Sequence, residues 1–561
     1  MKQLFRTKKI DTAVQEGGDE VHGGMGLNRV LNVRDLTFLG IASVIGAGIF
    51  STIGSAAYHG GPGVSLLFII TAVTCGFSAL CYAEFASRVP VSGSAYTYAY
   101  VSFGELVAWI IGWALILEYA IGNIVVAISW SSYFNNLLQG LNIHLPFWLT
   151  ISPATAREAF EAASAELAKG ASLTPHMQEV LDGWNKAPQI NGHRFFMNLP
   201  AFLIVALITL LAYVGMKESK KSANAMVLFK VGVIIFVIVV GFFYVNPANW
   251  NPFLPNGFTG VLQGVSAVFY AYIGFDAIST TAEECKNPQR DLPRGMMYAL
   301  LICTVLYILI ALVLTGMVHY SELKVDDPLA FVFDRLGLKW IGYIISISAV
   351  VATTSVLLVF QLGQPRIWMT MSRDGLLPRR FSQIHPRYKT PAFATIVTGL
   401  LVGVPALFLP SSLMTDLTSI GTLFAFVLVC LGVLLLPRMP GVAGKFRLPY
   451  INGRYIIPLL VLAFIYLFRE RALLAATNLA TESHQEVLFF IFVLIAVVIA
   501  VLAFLRSYSL IPVLGALSCL YLMIEIPVQS WFWFFIWMGL GLLFYFSYGF
   551  KNSKLAPTKT V

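Results

Sequence analysis

Long apolar segments recur along the whole chain, and this repetition restricts the fold more than any single motif does. About fourteen of them are long enough, or nearly so, to cross a hydrocarbon core of roughly 30 Å as helices. Their approximate bounds are 36–58, 62–86, 103–139, 197–216, 223–245, 258–282, 295–318, 340–371, 391–409, 414–436, 454–468, 487–505, 508–526 and 531–549. Because 58% of the 561 residues are hydrophobic and only 12% are charged, the chain has too much apolar surface for a soluble core. It is therefore predicted to be an all-α polytopic membrane protein.

Basic residues are concentrated in alternate connections between these segments. Clusters of lysine and arginine occur at residues 2–9, 217–221, 286–294, 366–389, 438–454 and 551–559. By the positive-inside rule these connections face the cytoplasm, which places both termini there and implies an even number of spans. This distribution accounts for the net charge of +9, so no nucleic-acid partner is predicted. Arg469 and Arg471 depart from the pattern, and the topology of residues 437–486 stays open.

The histidines and cysteines do not indicate a metal site. The eight histidines lie in tails, connections or segment ends, and the six cysteines lie in or beside apolar segments or on the predicted inner side. Because structural metal sites need clustered ligands of these types, neither a metal nor another cofactor is predicted. No signal peptide is apparent, because residues 1–25 contain no apolar stretch of the required length.

The polar connection at residues 143–196 is predicted to lie outside the membrane. Residues 154–170 combine helical propensity with mixed charge, which predicts a short external helix. This helix either caps the outer mouth of the protein or is a passive insertion.

Two apolar segments carry signs of an interruption at mid-membrane. Gly46 and Gly48 lie in the middle of the first segment, where each glycine weakens a helix by about 1 kcal/mol relative to alanine. In lipid an unwound backbone persists only where it lines a protein cavity, although glycines also allow two helices to pack closely. The sixth segment has a counterpart at residues 269–276, which include Gly274 and Asp276. Interrupted segments at corresponding places in two halves indicate a transporter binding site.

Two ionisable residues lie inside apolar segments. Glu118 is in the middle of the third segment, and such a position is costly enough to suggest a function. It could contact a cationic substrate, carry a proton or bond a neighbouring backbone group. Lys230 is in the fifth segment; its ammonium either reaches the membrane surface or is buried, where a desolvated amine could bind and release a proton.

Two further polar groups have both a structural and a functional interpretation. Thr353 and Thr354 in the eighth segment could face a substrate cavity or bond the backbone of their own helix. Glu84 and Arg88 stand four residues apart on one helix face. They form either an ordinary surface ion pair or part of a cytoplasmic gate.

Several motifs together resemble one transporter superfamily. They are found at residues 46–50, 61–63, 81–85, 88–96, 269–276, 287–288 and 372–378. In combination they resemble the amino acid/polyamine/organocation (APC) superfamily, and within it the cationic amino acid transporter branch with its proton-coupled bacterial relatives. The resemblance implies a LeuT-like fold of two inverted five-helix repeats with broken first and sixth helices.

The resemblance also implies a division of the chain. Its parts are a cytoplasmic tail at 1–33, a first repeat at 34–245 that contains the connection 143–196, a second repeat at 258–436, four C-terminal helices at 437–550 and a cytoplasmic tail at 551–561. This division gives about fourteen spans, each of which needs about 20 residues.

The resemblance further implies the roles of individual residues. The backbone amides around Ala47, Gly48 and Ile49 would receive a substrate carboxylate, as the start of a half-helix can, and Gly46 would belong to the same binding site. The substrate ammonium would bond carbonyls at Ile45, Phe275, Ala277 and Ile278, with the Phe275 ring closing over it. Lys230 would replace a sodium ion as the coupling group. Glu118 and Asp276 suit a cationic substrate, although relatives with the same acids also carry neutral ones.

The expected function is that of an inner-membrane amino acid permease, which works by alternating access and couples an L-amino acid to a proton. An obligatory amino acid exchanger and a membrane sensor that binds amino acids without moving them are the alternatives. An enzyme is not expected, because the sequence has no evident buried nucleophile–base pair. The lipid bilayer is the expected environment, and the sequence leaves an accessory single-span subunit open.

Overall fold

The helices begin and end close to the bounds of the apolar segments. The computed structural model describes residues 6–8, 31–46, 48–89, 94–168, 175–190, 192–215, 220–325, 327–436, 446–471, 473 and 484–556. In the first half the helices are α1 Val33–Val44, α2 Ile53–Gly60, α3 Val64–Arg88, α4 Ser94–Ser102, α5 Glu105–Gly140, α6 Pro153–Ala168, α7 Pro175–Lys186, α8 Leu199–Val214 and α9 Lys220–Phe242.

The second half continues the same all-helical pattern. Its helices are α10 Gly257–Leu262, α11 Val265–Tyr270, α12 Pro288–Met317, α13 Pro328–Arg335, α14 Lys339–Arg373, α15 Ala392–Phe408, α16 Ser411–Leu435, α17 Ile456–Leu467, α18 His484–Arg506, α19 Leu510–Ile524, α20 Val528–Phe544 and α21 Phe550–Asn552. By length and composition, 8 helical segments of the described chain can cross a membrane, and shorter apolar helices accompany them. Apart from one small hairpin, the described residues thus form an all-α integral membrane protein.

Both predicted interruptions are present. Helix α1 ends at Val44, where Ile45 is extended, and a short π-helical turn at Gly48–Thr52 precedes α2. Helix α11 ends at Tyr270 and is followed by turns and then by a 3₁₀ helix at Phe275–Glu284. Each interruption leaves backbone groups without their usual intrahelical partners.

The interruptions lie inside the main hydrophobic core. Helix α5 packs extensively against α14 and α16, and α12 packs against both α1 and α3. The buried side chains of these helices belong to one continuous cluster. Polar backbone groups in such surroundings need partners within the protein.

The polar connection between α5 and α8 folds into a small domain. Helix α6 corresponds to the predicted external helix, whereas α7 and the antiparallel hairpin of β1 Gln189–Ile190 and β2 His193–Arg194 were not predicted. The ring of Trp184 stacks on Phe160 at 4.5 Å and on Phe196 at 5.1 Å between ring centres. A backbone bridge between Thr150 and Asn198 closes the base of the domain.

The C-terminal helices have a small core of their own. Ile457 from α17, Phe489 from α18 and Val513 from α19 belong to a second cluster, separate from the main one. Helix α19 also packs extensively on α16. Ala516 and Cys519 of α19 also belong to the main cluster, so α19 contributes to both cores.

Candidate functional site

The side chain of Lys230 lies at the first interruption. It is fully buried, with 0% of its surface exposed, and its ammonium donates hydrogen bonds to the carbonyls of Ala42 at 2.8 Å and Ile45 at 2.9 Å. These carbonyls are available because α1 stops at Val44, and the last carbonyls of a helix favour a cation. Lys230 is therefore directed into the protein and not to the membrane surface.

Tyr307 of α12 links the two interruptions. Its hydroxyl lies 2.9 Å from the carbonyl of Val44 and 2.9 Å from the carbonyl of Ala271. The hydroxyl has a single proton and both neighbours are acceptors, so the two carbonyls share one donor. Sequence reasoning missed this residue, because a tyrosine among apolar residues has no distinctive pattern.

The two interruptions touch each other at Gly48. A Cβ atom at this position would lie 2.7 Å from the Cβ atom of Ala271, which is well inside van der Waals contact. One turn further along, the Thr52 hydroxyl is 2.9 Å from the carbonyls of both Gly48 and Ala267. Glycine is thus required at Gly48 for the two backbones to approach.

Gly274 shapes the second interruption. Its φ angle of 112° is one that side-chain-bearing residues rarely adopt, and a Cβ atom there would also lie 3.0 Å from Ser43 of α1. The glycine therefore allows the chain to turn sharply directly beside the first interruption.

The predicted contacts of the first interruption are found together. Ile45, Gly46, Gly48 and Ile49 are all buried, and Ala47 lies outside the described residues. The Ile45 carbonyl, expected to bind a substrate ammonium, already accepts from Lys230. A carbonyl oxygen has a second lone pair, so this contact leaves one acceptor position.

The predicted contacts of the second interruption also lie together. Phe275, Ala277 and Ile278 are buried at the start of the 3₁₀ helix. The Ile278 carbonyl accepts from the hydroxyl of Thr281 at 2.8 Å. The Phe275 ring packs against Phe426 of α16, with 5.2 Å between ring centres.

Two buried carboxyl groups lie near these contacts. Asp276 is 2% exposed, and its carboxyl faces the backbone amides of Gly274 and Ala277. Glu118 is 3% exposed and lies beside Thr422, within electrostatic range of Asp276. Asp276 thus supports the backbone of the interruption, while Glu118 extends from the facing helix α5.

The two threonines of α14 interact with their own helix. The hydroxyl of Thr353 donates to the carbonyl of Ala349 at 2.6 Å, and that of Thr354 donates to Val350 at 2.6 Å. Thr354 also accepts from the indole of Trp130 at 2.9 Å. In this structure both hydroxyls therefore bond the backbone of their own helix, which is the structural one of the two interpretations given above.

Glu84 interacts beyond its own helix. It forms the predicted ion pair with Arg88, and its carboxylate also accepts from the backbone amide of Leu448 at 2.7 Å. The nearby Ser87 hydroxyl donates to the carbonyl of Phe446 at 2.8 Å. The end of α3 is thus bound to the segment that follows α16, which the sequence pattern did not predict.

Parts of both chain ends meet at the start of α5. The buried carboxylate of Glu105 accepts from Tyr545 at 2.9 Å and from Ser553 at 2.5 Å. Lys8 forms an ion pair of 3.1 Å with Asp374 at the end of α14. The described terminal segments are therefore bound to two helices of the main core.

Within the described chain, no three or more histidine, cysteine, aspartate or glutamate side chains could together hold a metal ion.

Sequence comparison places the chain in a known family. The model of the family described as amino acid permease matches residues 31–501, and one described as the C-terminus of AA_permease matches residues 508–553. The branched-chain amino acid permease BcaP of Bacillus subtilis (strain 168) is 41% identical over 463 residues, which are 82% of this chain and 91% of the relative.

Further relatives are named for other substrates. The methylthioribose transporter of Bacillus subtilis (strain 168) is 40% identical over 453 residues, 80% of this chain and 89% of the relative. The vacuolar cationic amino acid transporter 4 of Arabidopsis thaliana is 36% identical over 447 residues, 78% of this chain and 68% of the relative. These relatives are transporters rather than enzymes, and they confirm the resemblance to the APC superfamily. The chain belongs to the amino acid permease family.

Proposed function

We propose that this chain moves L-amino acids across the inner membrane by alternating access and couples their movement to a proton. Family membership supports the amino acid substrate. The adjoining interruptions of α1 and of the segment after α11 support a site at mid-membrane. In this proposal the amides at Gly48 and Ile49, with that of Ala47, receive the carboxylate.

The proposal includes the LeuT-like organisation implied by the resemblance to the APC superfamily. Residues 34–245 and 258–436 form two inverted repeats, and residues 437–550 add four helices, which gives about fourteen spans. Both termini face the cytoplasm, as the distribution of basic residues suggests. The separate hydrophobic cluster of α17, α18 and α19 is consistent with an addition to the transport core.

The contact of Lys230 with the end of α1 is the observation that carries the proposal. Hydrogen bonds from a charged donor are roughly twice as strong as those from a neutral one. Loss of the proton would therefore weaken the hold of Lys230 on the carbonyls of Ala42 and Ile45. Because the same turn leads into the proposed carboxylate site, protonation and substrate binding would act on one short stretch of backbone.

The oxygen atom of the Ile45 carbonyl can contact both Lys230 and the substrate. It accepts from Lys230 at 2.9 Å and has one lone pair left for a substrate ammonium. Inward movement of a proton releases about 2.3 kcal/mol per 100 mV of membrane potential. Coupling through this atom would allow the protein to accumulate its substrate.

Uptake into proteoliposomes tests the proposal. Vesicles that contain the purified full chain are given an inward proton gradient, and tritiated L-leucine and L-lysine serve as separate probes. The wild type should accumulate at least one of them. Lys230→Met should abolish the response to the gradient while substrate binding remains, because the residue no longer carries a proton. Uptake driven equally well in this variant would contradict the coupling role.

A second lysine provides a matched control. Lys339 is exposed at the start of α14, and Lys339→Met removes the same charge without touching either interruption. Its uptake should remain within about twofold of the wild type, as expected for a surface change.

Two other results would identify a different function for the wild-type chain. Uptake only into vesicles preloaded with amino acid would identify an obligatory exchanger. Binding without uptake or counterflow would identify a sensor.

A further inference from the structure

Tyr82 of α3 carries a buried polar group without a partner. The residue has 0% of its surface exposed, and its hydroxyl has no hydrogen-bond partner among the described residues. Buried hydroxyl groups are normally hydrogen-bonded, because an unpaired one has lost water without replacement. A partner supplied from outside the described chain would remove this cost.

The ring of Tyr82 belongs to the aromatic group around Phe275. It meets Phe275 edge-on at 6.3 Å and Phe426 edge-on at 5.4 Å between ring centres. Phe275 is the aromatic residue that the proposed function assigns to closure over the substrate. Tyr82 thus lies directly against the proposed binding site, on the side of α3.

Acidic groups lie near the same hydroxyl. Asp276 and Glu118 both lie within electrostatic range of Tyr82, as does the second tyrosine Tyr119. Asp276 faces the backbone amides of the interruption, whereas Glu118 lies across from it beside Thr422. The unpaired Tyr82 hydroxyl and the Glu118 carboxyl are therefore two hydrogen-bonding groups close to the second interruption.

We propose that Tyr82 and Glu118 form a subsite for a polar substrate side chain, one that carries an N–H or O–H donor. This inference rests on the proposed function and adds the chemical class of the side chain to it. A hydroxyl can accept as well as donate, and a glutamate can accept. An ammonium, guanidinium, amide or hydroxyl group would satisfy both residues, whereas a purely aliphatic side chain would leave the Tyr82 hydroxyl unpaired.

Pairs of amino acids with equal shape and different polarity test this subsite. The purified full chain is titrated with L-threonine and L-valine, and with L-lysine and L-2-aminoheptanoate, and apparent affinities are taken from the rise in melting temperature. The wild type should prefer the polar member of at least one pair. Tyr82→Phe should reduce that preference by about 2- to 10-fold, the range expected for one neutral hydrogen bond.

Tyr272→Phe is the matched control. It removes one buried tyrosine hydroxyl at the second interruption, but that hydroxyl is satisfied by the carbonyl of Phe68 at 3.0 Å. Its preference should equal that of the wild type. An unchanged preference in Tyr82→Phe, or a wild type that prefers the aliphatic member of both pairs, would overturn the subsite.

Glu118→Gln keeps the test decisive should Tyr82→Phe fail to fold. It should lower the preference for lysine over 2-aminoheptanoate, because the carboxylate charge is lost, and an unchanged ratio would overturn the role of Glu118.

Failure of the proposed function has a different signature. In that case Gly48→Val would leave the affinity for both members of each pair unaltered, whereas failure of the subsite alone leaves the wild type binding aliphatic amino acids.

Discussion

Replacing Gly48 with alanine should push the two interruptions apart and weaken amino acid binding. The added Cβ atom would lie 2.7 Å from the Cβ atom of Ala271, whereas two carbon atoms are at their optimum near 3.5–4.0 Å. The neighbour is part of a short residue whose position is fixed by the backbone, so no flexible side chain can move aside. The backbone segments must therefore separate by about 1 Å.

The size of the effect follows from the cost of overpacking. Inserting a methyl group into a well-packed core typically costs about 1–3 kcal/mol. If that strain is relieved by displacing the proposed carboxylate site, the dissociation constant rises by about 5- to 150-fold. Gly48→Val should have a larger effect, because two further methyl groups enter the same space.

The dissociation constants of the purified variants for L-leucine and L-lysine measure this loss. They are obtained from the rise in melting temperature as each amino acid is added. Gly421→Ala is the control: Gly421 is also buried, but its added Cβ atom would approach the Ala114 carbonyl only to 3.8 Å. Its affinity should stay within about twofold of the wild type, and alanine should favour the helix. A folded Gly48→Ala variant with wild-type affinity would refute the reasoning.

Two further predictions concern groups that the sequence did not single out. Tyr307→Phe should lower stability by about 1–3 kcal/mol, because two buried carbonyls lose their donor; an unaltered melting temperature would argue against this link. Glu105→Gln should speed limited proteolysis of the C-terminal segment, because Tyr545 and Ser553 lose a charged acceptor worth about 1.5–3 kcal/mol. Cleavage at the wild-type rate would reject that role for the carboxylate.

The sequence was informative where the local signal was strong. Long apolar segments predicted the membrane helices, since no other fold accommodates so many of them. Gly46, Gly48 and Gly274 predicted the interruptions, because glycine weakens a helix through its own backbone. These properties depend on the residues themselves and can be read without knowing their neighbours.

Other features depend on how helices rotate and pack, which a single sequence does not encode locally. Whether Lys230 faced lipid or the interior depended on the orientation of α9, and only the contacts with Ala42 and Ile45 decided it. The bridge made by Tyr307 joins residues distant in sequence. Helices α7 and α13, of 12 and 8 residues, were missed, because they are far shorter than the apolar segments from which the membrane helices were predicted.

The Thr150–Asn198 bridge has a practical consequence for imaging this protein. The two ends of the connection between α5 and α8 lie side by side, because Thr150 is bridged to Asn198. The Met197 amide also donates to the Trp148 carbonyl at 2.9 Å. Bridged backbones lie about 5 Å apart. A rigid soluble module whose own ends lie side by side can therefore replace residues 151–197 and serve as a fiducial for single-particle electron microscopy, without lengthening either junction.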